Sequence, residues 1–208
     1  MQINKISLVV CVALNLCFWG ALASAEDKHI QEKGKSPLEI DFPSGGELRL
    51  YLCPSGVVLR GTDQNKIRVT YQTEDPVDAS RVRVSLGRSS NAGRVEMSGC
   101  PRNNFRVTVE VPQKSGLYVR MFAGQLEIGN IRGDKDVELH FGQMEISMGK
   151  VSDYAHVDGS VNTGQVDAPA FDVSKGGLFR SFSKEGPGRY RLHAHVGAGQ
   201  LSLTESEN

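Results

Sequence analysis

Four times in its C-terminal half the chain repeats one phrase. It reads Phe122-Ala-Gly-Gln-Leu-Glu-Ile128, then Phe141-Gly-Gln-Met-Glu-Ile146, then Val161-Asn-Thr-Gly-Gln-Val-Asp-Ala168, and last Val196-Gly-Ala-Gly-Gln-Leu-Ser-Leu203. Each copy follows a run of alternating apolar and polar residues, so the unit is strand, Gly-Gln turn, strand. The apolar members before the glycines are Leu117, Val119 and Met121; Val137, Leu139 and Phe141; Val157 and Val161; Leu192, Ala194 and Val196. After them come Leu126 and Ile128, Met144 and Ile146, Val166 and Ala168, Leu201 and Leu203. Residues two apart on a strand share a face, so these sets predict one continuous buried side.

Gly124, Gly142, Gly164 and Gly199 are separated by 18, 22 and 35 residues. Periods near 20 fit one turn of stacked β-structure, and 35 fits a rung carrying an insertion. Glycine supplies the positive φ that a tight corner needs. A degenerate rung, Phe171-x-Val173-x-x-Gly176-Gly-Leu178, falls between the third and fourth copies. The expected fold is all-β, a β-solenoid-like or β-roll-like stack of short strands with Gly-cornered repeats.

Ahead of the repeats the chain also reads as strands. Glu47–Leu52, Val57–Arg60, Ile67–Tyr71, Arg81–Leu86, Val95–Met97 and Phe105–Val111 alternate or are rich in β-branched residues. They are broken at Ser55-Gly56, Gly61-Thr62-Asp63, the turn Glu74-Asp75-Pro76, the polar loop Gly87–Gly93 and Pro112. An antiparallel arrangement is open for this part. No stretch sustains a period of 3.6 with helix caps, so helix content should be low. The predicted organisation is a signal peptide at 1–25, a flexible leader at 26–36, and one all-β domain at 37–208. Within that domain, 37–112 is the N-terminal strand region and 113–205 the Gly-Gln ladder.

The signal peptide rests on Lys5, the apolar run Ile6–Leu22 and the small-x-small ending Ala23-Ser24-Ala25. Export follows, to the periplasm or the cell surface, with no transmembrane span expected in the mature chain. After removal of the segment 23 basic and 24 acidic residues remain, a balance that, with export, argues against a nucleic-acid partner. The charge is uneven: Arg81–Arg120 holds eight basic and two acidic residues, Met121–Lys175 four basic and nine acidic. Cys11 and Cys17 leave with the signal. Cys53 and Cys100, both before proline, then read as a disulfide in an oxidising compartment, worth roughly 3–4 kcal/mol on the chain-entropy model.

Read together, Gly45-Gly-Glu-Leu-Arg-Leu50, Gly56-Val-Val-Leu-Arg-Gly61 with Lys66-Ile-Arg-Val-Thr70, Val107-Thr-Val-Glu-Val-Pro112 and the Gly-x-apolar-x-apolar rungs give the chain a resemblance to a known family. It resembles the bacterial exported "putative adhesin" family of unknown function over most of Pro37–Leu203. The resemblance implies a β-solenoid-like all-β fold, export and no established catalytic residues. The fixed glutamine after each glycine and the cysteine pair depart from the family's loose pattern.

Four groups of residues carry possible chemistry. Gln125, Gln143, Gln165 and Gln200 share one outward position, where stacked amides make a hydrogen-bonded ladder or a polar strip for a glycan. Two residues on stand Glu127, Glu145 and Asp167, with Ser202 as the fourth member. Carboxylates on neighbouring strands need water, a basic neighbour or a cation. Calcium would suit oxygen ligands, yet the Gly-Gly-x-Gly-x-Asp loop of calcium-binding rolls is absent. Solvated carboxylates and a weak cation site therefore both stay open. His193 and His195 point outward from one strand, and Asp158 aligns with His193 when counted from its own glycine. Such a set suits a transition metal if the rungs are neighbours; otherwise these are surface histidines. His140 and His156 add nothing specific. Arg132-Gly-Asp134 matches the integrin tripeptide, which three common residues form by chance.

No phosphate loop, nucleophile elbow, Cys-x-x-Cys or His-Glu-x-x-His motif is present. The sequence therefore assigns no catalytic residue, no cofactor and no metal. The leading expectation is a non-catalytic exported envelope or surface protein, an adhesin-like scaffold presenting a β-surface to an envelope macromolecule or polysaccharide. The alternatives are a polysaccharide-active enzyme, a lyase or glycosidase using the carboxylate strip, and a weak metal-binding protein.

Overall fold

The structure, a computed structural model, describes residues 27–205. The segment 1–25 expected to be a signal peptide, with Cys11 and Cys17, lies outside the described residues. The strands are β1 (Lys28–Lys33), β2 (Leu38–Asp41), β3 (Glu47–Leu52), β4 (Ser55–Thr62), β5 (Lys66–Gln72), β6 (Arg83–Ser89), β7 (Ala92–Ser98), β8 (Arg106–Pro112), β9 (Gly116–Gly129), β10 (Lys135–Ser147), β11 (Tyr154–Ala168), β12 (Val173–Glu185) and β13 (Tyr190–Thr204). One four-residue helix, α1 (Pro76–Ala79), is capped by the Asp75 side chain. The strands join in a single mixed sheet.

Its centre is parallel. β9, β10, β13 and β11 lie side by side in that order, with Gly124, Gly142, Gly199 and Gly164 in register. Each of these strands bends at its glycine and continues, so the ladder is not interrupted. β3 and β4 together make a fifth rung, pairing with the first and second halves of β9. β7 and β8 make a sixth beyond them. Antiparallel strands finish both ends: β6 and β1 beyond β7, β5 and β2 beyond β8, and β12 beyond β11.

The corner explains the side-chain pattern. Met121 and Leu126 are both buried although five residues apart, as are Leu139 and Met144. On a straight strand an odd separation would put them on opposite faces. The glycine bend, with φ between +127 and +145 at the four positions, turns the second half so that both halves face one core. Positive φ is one reason for glycine here, and crowding is the other. A Cβ on Gly142 would collide with the carbonyl oxygen of Gly124, and one on Gly199 with that of Gly142. Around this core valine, leucine and isoleucine are almost wholly buried, each contributing roughly 1.5–3 kcal/mol.

Several expectations need correction. The rungs are not short strands wound in chain order: β9, β10, β11 and β13 run 13–15 residues, and β13 inserts between β10 and β11. The degenerate rung around Gly176 is β12, antiparallel and at the edge, so it does not sit between β11 and β13. Phe141 is half exposed at 51%, because it stands one residue before its glycine whereas the inward series ends three before. The leader at 26–36 holds β1, paired with β6. Gly87–Gly93 is mostly strand, closed by a tight turn at Ser90-Asn91, and β4 runs through Ser55-Gly56. The N-terminal strands are parallel within the stack and antiparallel only outside it.

Cys53 and Cys100 form a disulfide, their Cα atoms 6.1 Å apart. Cys53 lies between β3 and β4, and Cys100 between β7 and β8. The bridge therefore pins together the corners of the two rungs that break at the bend.

Candidate functional site

Counting back from each corner glycine aligns the outer face as well as the core. Six and four residues before it stand Tyr118 and Arg120 on β9, Asp136 and Glu138 on β10, His193 and His195 on β13, and Asp158 and Ser160 on β11. The ladder register places each pair beside the next. β3 extends the rows with Arg49 and Tyr51, and β7 with Arg94 and Glu96. One face thus grades from arginine and tyrosine to carboxylate and histidine.

The cationic half is built by stacking. The Arg120 guanidinium lies 3.7 Å from the Tyr118 ring centroid, Arg49 5.7 Å from the same ring, and Arg94 4.6 Å from Tyr51. Such contacts hold a guanidinium flat while leaving its edge N–H groups free to donate. Arg94 also pairs with Glu96. Arg120 reaches across to the acidic rung, 2.9 Å from Asp136 Oδ1 and 3.2 Å from Glu138 Oε2.

The histidine half is a hydrogen-bonded chain. His193 donates from Nδ1 to Asp158 Oδ2 at 2.5 Å, and the other Asp158 oxygen lies 3.3 Å from His156 Nε2. His156 donates from Nδ1 to Glu185 at 2.7 Å. His195 Nδ1 and Ser160 Oγ share a bond of 2.8 Å. β11 and β13 are adjacent, so the aligned Asp158 and His193 do meet. His156, Asp136 and Glu138 were not singled out from the sequence, though the same count from the glycine finds the two acids.

Alongside these rows a groove of about 670 Å³ runs past the starts of the rungs. Tyr118 and Tyr190 line it, with Arg49, Lys114, Arg132, Arg189 and Arg191. None of these five basic side chains makes an ion pair among the described residues. Asp134 of the Arg-Gly-Asp tripeptide also lines the groove, but its carboxylate accepts from the Arg191 backbone N–H at 2.7 Å. Lys135 is buried beneath. Its Nζ donates to Tyr154 Oη at 2.7 Å and to the Gly133 carbonyl at 3.1 Å. Burial lowers its pKa to about 8, opposed in part by Asp134.

The other outer face carries the glutamines and the acidic strip. Gln125, Gln143, Gln200 and Gln165 occupy one row. Gln125 Nε2 donates to Gln143 Oε1 at a long 3.4 Å, the amide–amide bond found in this row among the described residues. Glu127 and Glu145 stand side by side, but Ser202 comes next and separates Glu145 from Asp167. The strip read from the sequence as three acids in line is therefore a pair and a single. Rung order, which the sequence does not display, makes the difference. A shallow hollow of about 190 Å³ lies over the pair.

No family model matches the chain, and no curated protein matches it. Among solved structures it is similar to a "putative cell adhesion protein" from Clostridium sporogenes, at 14% identity and TM-score 0.49 over 87% of this chain and 100% of that one. It is also similar to a "putative adhesin" from Bacteroides fragilis, at 8% identity and TM-score 0.34 over 86% of this chain and 98% of that one. Among the described residues no helix is long and apolar enough to cross a membrane.

Proposed function

We propose that this protein is a non-catalytic, exported, adhesin-like scaffold whose groove binds an extended anionic glycan. The groove's five basic side chains without ion partners carry the reading. Like charges gathered along one groove repel one another, and a polymer bearing carboxylate, sulfate or phosphate groups would relieve that repulsion. Arg49, fixed against Tyr118, offers the planar donor edge suited to such groups. Tyr118 and Tyr190 line the groove and seat guanidinium groups, Arg120 and Arg49 at the first and Arg189 at the second. Arg49 and Arg191 stand on the strands β3 and β13, whereas Lys114, Arg132 and Arg189 lie in the segments between strands. The Cys53–Cys100 disulfide fits a protein that works in an oxidising compartment.

Binding of the purified chain to an acidic polysaccharide such as alginate, with dextran as the neutral control, tests this reading. Alginate should bind and dextran should not, and the affinity should fall as ionic strength rises. Arg189→Glu with Arg191→Glu should weaken alginate binding at least tenfold. Equal binding of the two polymers, or an unaltered affinity in the double variant, would remove the proposal.

A further inference from the structure

On the outer face, Asp136, Glu138 and His193 offer ligand atoms that all lie within 4.8 Å of one another. We propose that these three side chains form a site for a divalent transition metal of the zinc class, and that Arg120 is the built-in competitor for it. Asp136 and His193 also line the groove, but the site requires no sugar, so metal binding is tested separately from glycan binding.

The donor set decides the class of ion. One imidazole nitrogen with two carboxylates suits zinc, which commonly takes three protein ligands and keeps a position open. Calcium would seek six to eight oxygens. Tetrahedral zinc places neighbouring ligand atoms roughly 3.4 Å apart, as follows from bond lengths near 2.1 Å. Rotation of the exposed His193 and the half-buried Asp136 and Glu138 would close the remaining distance.

Two further observations point to a ligand. Asp158 holds Nδ1 of His193 at 2.5 Å, the carboxylate–histidine arrangement that orients a ring for a metal at its other nitrogen. Asp136 Oδ1 is shielded from solvent yet accepts no hydrogen bond. Arg120 Nη2 is only 2.9 Å away, but the guanidinium spends its aligned Nη1 donors on the carbonyls of Val119 and Asp136, at 2.9 and 3.1 Å. Arg120 thus supplies charge without satisfying the oxygen, and a cation that binds there has to displace that charge.

Calorimetric titration of the purified chain with zinc chloride alone tests the site, paired with proton–nitrogen NMR of the histidine rings. One zinc per chain should bind, and the His193 ring signals should shift on its addition. His193→Gln should weaken binding at least tenfold. Asp158→Asn should weaken it less and change the tautomer signature of the His193 ring, which a merely structural role would not do. Arg120→Gln should tighten binding. Absence of zinc binding to the parent chain, unmoved His193 signals, or undiminished affinity in a folded His193→Gln variant would overturn the proposal. The NMR reading on the parent chain holds even where a variant fails to fold.

Discussion

Four glycines set the bend of this molecule, and each is irreplaceable for two separable reasons. Gly142 sits at φ +131, and its α-carbon rests against the Gly124 carbonyl with no room for a methyl group. Gly142→Ala should therefore destabilise the protein by about 3 kcal/mol or more, combining backbone strain with a steric clash. Gly129→Ala, where the nearest atom is Ser147 Cβ at 4.0 Å, should change stability by less than about 1 kcal/mol. Urea denaturation of the two variants checks the contrast, and equal midpoints would contradict it. The corner glycines were legible because they recur with the same residue after them. Phe141 was not, because simple alternation places it with Leu139, and only the bend reveals that the inward series stops three residues before the glycine. His193 and Asp158 were legible as a pair only up to the question of which rungs touch.

The end strand β12 shows how a β-stack stops. Lys175 and Arg180, both exposed, pair across from the buried Val166 and Val161, where a further rung would carry apolar side chains. Lys175 Nζ donates to the Ser181 carbonyl and Arg180 Nε to that of Gly176, at 3.1 and 2.9 Å, so both charges fold back across the bend. Charged side chains on an edge strand are a known means of blunting a sheet edge. Leu178 and Phe179 stand nearby at 62% and 79% exposure, which leaves little margin. A Lys175→Val, Arg180→Val double variant should associate at concentrations where the parent chain does not. Size-exclusion chromatography with light scattering reads this directly, and an unchanged mass would argue against edge protection by these residues. The strand itself was half visible in sequence, through its glycines and Leu178. Its antiparallel direction was not, since direction depends on a crossover that local pattern does not encode.

At the level of the whole molecule, Lys135 ties global stability to pH. In the unfolded chain a lysine keeps its proton to about pH 10.4, whereas burial brings Lys135 down to about 8 in the fold. Between these values the unfolded state binds more protons, so stability rises with pH. Below about 8 both states are charged, and the fold carries the full cost of the buried ammonium. Tyr154, pushed upward by burial, loses stability only above its unfolded value near 10, outside the lower part of this window. The urea midpoint of the parent chain should therefore increase from pH 7.5 to 9.5, by an amount equivalent to at most roughly 3 kcal/mol. In Lys135→Met that rise should vanish; a parallel rise in both proteins would assign it elsewhere. The insertion of β13 between β10 and β11 has a different consequence, one of timing. β11 leaves the ribosome before β13, yet the partner it docks on is β13, so the stack cannot grow rung by rung behind the emerging chain. Its final third must stay open until its last strand is available, and the chain closes as a lock does, with the late piece in the middle.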